Sequence, residues 1–252
     1  MKISFNGCPP LNFERGHIIC QLTDMFLHNV CFFDVFSDIL LTFTTVKKYD
    51  REHLMLEIIP EYQSLYASIL EKEWKEFVNL TDEFYSKTQS EFDQLRGDLL
   101  EYLLFRIGPI NIKFNAEYTV LKDCRIYNDD GRIGENEGHT DNDLDLAFYL
   151  NNEQLSISTI KCEMLECKAK LDNYLSIREG QDPPIKTKTK QKLEYLHFIK
   201  EYFRTNKNFI ISFATLQENV NRSKNALAKL NISGIGIINR ADIANKINSL
   251  SA

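Results

Sequence analysis

The chain contains few of the residues that interrupt regular structure: only 10 Gly and 6 Pro occur among its 252 residues. We therefore expect no long unstructured tracts. The hydrophobic share of 43% and the charged share of 26% are ordinary for a globular protein. A chain of this length can bury a full-sized core.

The six cysteines are scattered and include no Cys-x-x-Cys pair. This spacing excludes a zinc ribbon and gives no sign of a disulfide framework. We interpret them as the reduced thiols of a cytoplasmic protein. The first seven residues contain no continuous apolar stretch, so we expect no signal peptide.

Every long apolar stretch of the sequence contains charged residues. The most apolar window, residues 30–46, contains Asp34 and Asp38. It predicts a buried amphipathic helix rather than a membrane span, and we expect no membrane partner. A glycine-rich phosphate loop, a nucleophile elbow and a Ser/His/Asp order are also missing from the sequence.

The chain has no overall excess of positive charge, since its formal net charge is -6. The average conceals a split. From Lys186 onward there are twelve Lys and Arg against four Asp and Glu, a balance of +8, and the remainder carries -14. This asymmetry predicts a basic face on an acidic body. A solvated lysine-rich helix would explain it equally well.

Residues 1–90 predict a mainly helical accessory region, and residues 91–252 predict a second domain. Apolar residues recur at helical spacing in three segments, around residues 18–30, 32–46 and 61–85. The second domain opens with a helix over about residues 91–107, which Gly108-Pro109 ends.

From residue 110 onward, apolar residues recur at every second position, as they do in strands. We expect strands over residues 110–115, 116–121, 124–127 and 143–150 and within 155–168. A polar loop over 176–190 leads into a helix over 189–203, and then strand 208–213, helix 218–230 and strand 234–238 follow. This order predicts an α/β fold of the layered α+β kind, with a mixed β-sheet flanked by helices.

Two of these apolar strands carry ionisable residues, which is costly unless the charges are paired or used. Asp143 and Asp145 share one face of the first strand, and Glu166 and Lys168 share one face of the second. If the strands are neighbours, these groups converge. Carboxylates are suitable ligands for Mg²⁺, with Mn²⁺ as a substitute, and an adjacent ammonium suits a phosphate.

An Asp on one strand and Glu-x-Lys on the next, within this element order, resembles the PD-(D/E)XK (restriction endonuclease-like) nuclease superfamily over roughly residues 95–245. Asp145 matches the family's Asp, and Glu166 with Lys168 matches its Glu-x-Lys. Glu101 takes the place of the acid on the first core helix, with Asp98 as the fallback. No Pro precedes the Asp here, and the interval of 21 residues before Glu166 needs a longer hairpin or a bulge.

The resemblance implies a Mg²⁺-dependent endonuclease that hydrolyses phosphodiester bonds, in DNA more than in RNA, with restriction or another antiviral defence as its context. Asp145, Glu166 and the backbone carbonyl of Cys167 would hold the metal, and Glu101 or Asp143 would serve a second one. Lys168 would position water or neutralise charge. Gln191, with Tyr195 four residues later, matches the helicase-associated branch of the superfamily, in which Gln lines the site.

The remaining cations are candidates for contact with nucleic acid, because such contacts supply much of its affinity. These candidates are Lys170, Lys186, Lys188, Lys190 and Lys192. For the last four a solvated loop is the other interpretation. His139, just before the Asp strand, is placed to approach the site. Cutting both strands of a duplex would favour a homodimer, and residues 1–90 could bind a protein partner.

Two other functions stay open. The chain could be a non-catalytic nucleic-acid-binding or assembly module that retains the fold. It could also be an interaction protein whose acidic helical half binds a partner and whose Glu-Cys-Lys is a coincidence. Binding of Mn²⁺ or Mg²⁺ would separate a carboxylate site from a coincidence.

Overall fold

The computed structural model describes residues 2–139, 142–150, 156–175 and 186–251. Its helices are α1 Ile18–His28, α2 Val30–Thr42, α3 Arg51–His53, α4 Ile59–Leu65, α5 Glu71–Tyr85, α6 Gln89–Ile107, α7 Leu171–Tyr174, α8 Thr187–Tyr202, α9 Asn221–Lys229 and α10 Arg240–Ser251. Its strands are β1 Ser4–Cys8, β2 Tyr118–Asn128, β3 Gly131–Arg132, β4 Leu144–Leu150, β5 Cys162–Cys167, β6 Phe209–Ala214 and β7 Gly236–Ile238.

The strands form one mixed sheet in the order β1-β2-β4-β5-β6-β7, with β3 paired to β2. The pairs from β1 to β5 are antiparallel, and β5, β6 and β7 run parallel. Parallel neighbours need a crossover, and the connection from β5 to β6 contains α8. The predicted α/β layered fold with a mixed sheet and flanking helices is therefore confirmed.

Helices pack on both faces of the sheet because the side chains of β4 and β5 alternate. Leu146 and Leu165 belong to a hydrophobic cluster shared with α1, α2, α5, α6 and α10. Ala147 and Met164 belong to a second cluster, shared with α8 and α9. Helices α6 and α8 thus reach β4 and β5 from opposite layers.

The N-terminal region is mainly helical, as predicted, but it also supplies the edge strand β1, which the sequence prediction missed. Ser4 pairs with Tyr127 of β2. The predicted helix over residues 61–85 is interrupted, because α4 ends at Leu65 and α5 begins at Glu71. The division into domains at residue 90 stays a prediction, although the N-terminal helices share one hydrophobic cluster with α6 and α10.

Several local predictions were wrong. No strand forms over residues 110–115, where the backbone is instead held by the buried carboxylate of Glu163. The two strand pieces over 116–127 are one strand, β2, with Asp123 at a φ of 50°. Of the loop predicted over 176–190, residues 176–185 lie outside the described residues. Its last residues are helical, because α8 begins at Thr187. Helix α10 was not predicted.

A search of the described residues finds no helix with both the length and the apolar character that crossing a membrane requires.

Candidate functional site

Asp145 and Glu166 come together because β4 and β5 are antiparallel neighbours. Leu146 pairs with Leu165, and the same register places Asp145 opposite Glu166. Oδ2 of Asp145 accepts hydrogen bonds from the backbone N–H of Cys167 at 2.6 Å and from Nζ of Lys168 at 3.3 Å. Nζ of Lys168 also lies 2.8 Å from Oε1 of Glu166. The structure therefore brings the three residues of the predicted motif together.

The three charges are largely withdrawn from water, and Glu166 is only 3% exposed. Burial raises the pKa of Glu166, as does the negative charge of Asp145, while Lys192 and Lys168 act in the opposite direction. Burial alone would lower the pKa of Lys168, but Glu166 and Asp145 outweigh it and raise that pKa. Lys168 is therefore held as an ammonium ion.

Glu101, on α6, is near enough to Asp145 for the charge of Asp145 to affect its pKa. Burial, and then the charge of Asp145, raise its pKa to about 7, although the neighbouring Lys122 lowers it. Nζ of Lys122 lies 3.1 Å from Oε2 of Glu101 and 3.8 Å from Oδ1 of Asp98. Both predicted helix acids are thus near the site, and Glu101 is the one whose ionisation Asp145 influences.

Lys192 reaches the carboxylates from α8. Its ammonium lies 2.8 Å from Oε2 of Glu166 and donates a hydrogen bond to the backbone carbonyl of Asp143. The side chain is only 12% exposed. Of the two interpretations of Lys192, the solvated loop is wrong, because α8 carries the residue to the carboxylate cluster. Its contact with phosphate stays a prediction.

Lys122 is the residue that sequence reasoning missed. A signal was present, because Lys122 and Asp123 interrupt an apolar strand just as Asp143 and Asp145 do. Asp143 itself lies at the entrance of β4, where its carboxylate is 3.8 Å from Nη2 of Arg125 and 3.9 Å from Nζ of Lys192. These ion pairs give it a local structural role.

Other predicted residues are not brought into the cluster. Gln191 is exposed on α8, and within the described residues no hydrogen bond or ion pair joins it to Asp145, Glu166 or Lys168. Tyr195 is buried in the core. The ring of His139 packs 5.7 Å from the rings of both Tyr195 and Phe198.

The exposed lysines of the basic segment lie at the start of α8. Lys186, Lys188 and Lys190 are exposed, and Nζ of Lys190 is 3.8 Å from Oε1 of Glu194. Lys170 does not continue the strand face of Lys168, because β5 ends at Cys167 and Lys170 caps α7. Contact of these residues with nucleic acid stays a prediction.

The carboxylate oxygens of the site can be compared with the ligands that a divalent metal ion requires. Oε2 of Glu166 and Oε2 of Glu101 are buried, and each faces a lysine ammonium, that of Lys192 at 2.8 Å and that of Lys122 at 3.1 Å. Among the described residues, no group of three or more His, Cys, Asp or Glu side chains is arranged to hold a metal ion. Mg²⁺, however, keeps several waters and takes only one or two protein carboxylates. Asp145 and Glu166 fit such a partial ligand set, with Glu101 beside it.

No family model matches the chain, and no curated protein matches it at a significant level. The interpretation of the site therefore depends on the chemistry and geometry of its own residues.

Proposed function

We propose that the protein is a Mg²⁺-dependent endonuclease of the PD-(D/E)XK kind that hydrolyses phosphodiester bonds, in DNA more than in RNA. One observation supports this most strongly. Asp145 and Glu166 face each other across β4 and β5, with Lys168 within 3.3 Å of a carboxylate oxygen of each. Two carboxylates can hold a divalent cation, and an adjacent ammonium can neutralise negative charge on a phosphate that is attacked.

Each residue has a distinct part in this proposal. Asp145, Glu166 and the Cys167 carbonyl would hold the metal, and Glu101 would support it. When bound, a divalent cation acidifies water and stabilises negative charge on the attacked phosphate. The ammonium of Lys168 positions that water or neutralises the developing charge. Because the cluster is mostly buried, these electrostatic contacts are stronger than they would be in water.

A second function has one observation in its favour. Both oxygens of Glu166 already face ammonium groups, of Lys168 and Lys192, and a self-neutralised cluster of this kind can be purely structural. The protein would then be a nucleic-acid-binding module that retains the fold without cleaving. All three motif residues are nevertheless present and in contact, which favours the enzyme.

A cleavage panel separates these functions. Supercoiled plasmid, linear duplex, single-stranded DNA and RNA are incubated with the full chain in Mg²⁺, Mn²⁺ or EDTA. We expect metal-dependent cleavage that Glu166→Ala and Lys168→Ala both abolish. Glu201→Ala and Lys72→Ala, at exposed helical positions, serve as matched controls and should cleave normally. Equal cleavage by all variants would show that the site lies elsewhere.

A further inference from the structure

A cleft opens beside Lys168. It has a volume of about 310 Å³ and lies between α6 and the segment that follows β5. Arg96 and Gly97 line it from α6, and Lys170 and Tyr174 line it from the other side. Cys167 and Lys168 line this cleft and also contact the carboxylates of Asp145 and Glu166, so the cleft adjoins the carboxylate cluster.

The charges along the cleft are mainly positive. Three cations, Arg96, Lys168 and Lys170, line the cleft, and among the described residues Asp93 is its one acidic lining residue. Nη2 of Arg96 is 3.4 Å from Oδ1 of Asp93, and its Nη1 donates to the carbonyl of Thr44. Lys170 forms no ion pair with any described residue. Lys170 is thus the cation of the cleft that is left to pair with an anion, whereas Lys168 and Arg96 already have carboxylate partners.

Gly97 is a second, independent observation. It lies in the interior of the 19-residue helix α6, where glycine is one of the poorest residues for helix stability. Its φ is not positive, and an added Cβ would meet no atom within 4 Å. Neither backbone conformation nor packing therefore requires glycine at this position. Because Gly97 lines the cleft, a large side chain at this position would take up part of its space.

We infer that this cleft holds the sugar-phosphate backbone of a nucleic-acid strand next to the bond that is cut. Lys170 and Arg96 contact its phosphates, and Gly97 leaves room for the chain. The inference rests on the proposed function, which it extends by naming the path of the substrate. Small-ligand pockets span roughly 300–1,000 Å³, so a cleft of about 310 Å³ admits a short stretch of one strand.

Binding of a fluorescein-labelled oligonucleotide to the full chain, followed by anisotropy in EDTA, tests the inference without any need for cleavage. Two variants address the cleft. Gly97→Leu fills it, and Lys170→Ala removes a phosphate contact. Ser90→Leu adds the same side chain two turns earlier on the exposed face of α6, and Lys72→Ala removes a remote exposed lysine. Circular dichroism verifies that each variant is folded.

We expect Gly97→Leu and Lys170→Ala each to weaken binding at least about 5-fold, while both controls bind like the wild type. Lys170→Ala should also reduce the slope of log affinity against log salt by about one, which a merely structural lysine would not do. If Gly97→Leu does not fold, the salt slope of Lys170→Ala decides the outcome.

Two outcomes would overturn the inference, and they are distinguishable. If the wild type binds and both cleft variants bind equally well with the same salt slope, the cleft is not the path, and the proposed function is untouched. If the wild type binds neither labelled DNA nor labelled RNA, the inference fails together with the nucleic-acid substrate of the proposed function.

Discussion

Nζ of Lys192 lies 2.8 Å from Oε2 of Glu166, and Nζ of Lys168 lies 2.8 Å from Oε1 of the same carboxylate. Glu166 therefore lies between two ammonium groups, one that reaches it from α8 and one from the residue that follows β5. A divalent cation that binds Glu166 must displace or share one of these contacts. Lys168 belongs to the predicted motif, so Lys192 is the contact that binding of the metal would replace.

Removal of the Lys192 ammonium should therefore destabilise the metal-free protein. Lys192→Met leaves Glu166 buried with one counter-charge fewer, and breaking a buried ion pair in this way costs about 3 kcal/mol. Urea unfolding in EDTA measures the change. Lys190→Met is the matched control on the same helix, because Lys190 is exposed and its pair with Glu194 should contribute no more than about 1 kcal/mol. Equal losses in the two variants would contradict the assigned contact.

The metal should partly restore what Lys192→Met removes. A ligand that binds only the folded state raises its stability, and the gain grows with affinity. We expect Mn²⁺ to raise the melting temperature of Lys192→Met more than that of the wild type. A smaller shift in the variant would mean that Lys192 helps to build the metal site rather than competing for it.

The ionisation of Glu101 gives a pH prediction. Its pKa is raised from 4.5 to about 7, by burial first and by Asp145 second. The folded state therefore binds this proton more tightly than the unfolded state, and the resulting stability is lost as the pH rises from about 4.5 to about 7. Glu101→Gln should remove that loss, because the amide stays neutral and Lys122 keeps Asp98 as a partner.

Thermal unfolding in EDTA checks this pH dependence. We expect Glu101→Gln to melt above the wild type at about pH 8, with a smaller difference at about pH 5.5. Glu201→Gln, at an exposed position on α8, should show the same difference from the wild type at both values. A gain of Glu101→Gln that does not depend on pH would contradict the raised pKa.

Glu163 should matter for stability in a different way. Its buried carboxylate accepts hydrogen bonds from the backbone N–H of Ile110 at 2.8 Å and of Asn111 at 3.0 Å. In Glu163→Gln an amide NH₂ group replaces one carboxylate oxygen, so a donor instead of an acceptor faces these N–H groups. We expect this to lower the free energy of unfolding by about 2 kcal/mol. Urea unfolding measures the loss, and Glu201→Gln should change stability by less than about 0.5 kcal/mol. A neutral Glu163→Gln would show that the loop does not depend on this anchor.

The shared core allows a prediction about the domains. Helices α1, α2 and α5 pack in one hydrophobic cluster with α6 and α10, and β1 extends the sheet. We expect the full chain to unfold in a single transition by calorimetry, and residues 91–252 alone to expose apolar surface that binds a hydrophobic dye. Two separate transitions, with a folded 91–252 fragment, would support independent domains divided at residue 90.

Elements with a strong apolar period could be predicted from the sequence. Elements whose structure depends on a contact between residues far apart in the chain could not. Ile110, Ile112 and Phe114 alternate as in a strand, yet the carboxylate of Glu163 holds this backbone as a loop. Strand β1 was missed because it is short and its exposure alternates without a strongly apolar face. Such outcomes depend on residues more than fifty positions away, which a local pattern does not contain.

The candidate site shows the same division. The cross-strand contact of Asp145 and Glu166 followed from alternation along two predicted strands. The sequence pattern could not predict which of Gln191 and Lys192 faces the sheet. Neighbours on a helix point about 100° apart, and only the packing of α8 determines their directions. Lys122 could be suspected as a charge in an apolar strand, but its partner Glu101 lies on a helix from another layer.

Cleavage of supercoiled plasmid by the wild type and by Asp145→Asn, in Mn²⁺ and in EDTA, tests the proposed chemistry most directly. The substitution preserves size but removes the charge that faces Glu166 and Lys168. We predict cleavage by the wild type in Mn²⁺ alone and a loss of about 100-fold or more in a folded Asp145→Asn. Equal cleavage by the two proteins, or none by the wild type on any nucleic acid at saturating Mn²⁺, would contradict a hydrolytic centre at Asp145 and Glu166.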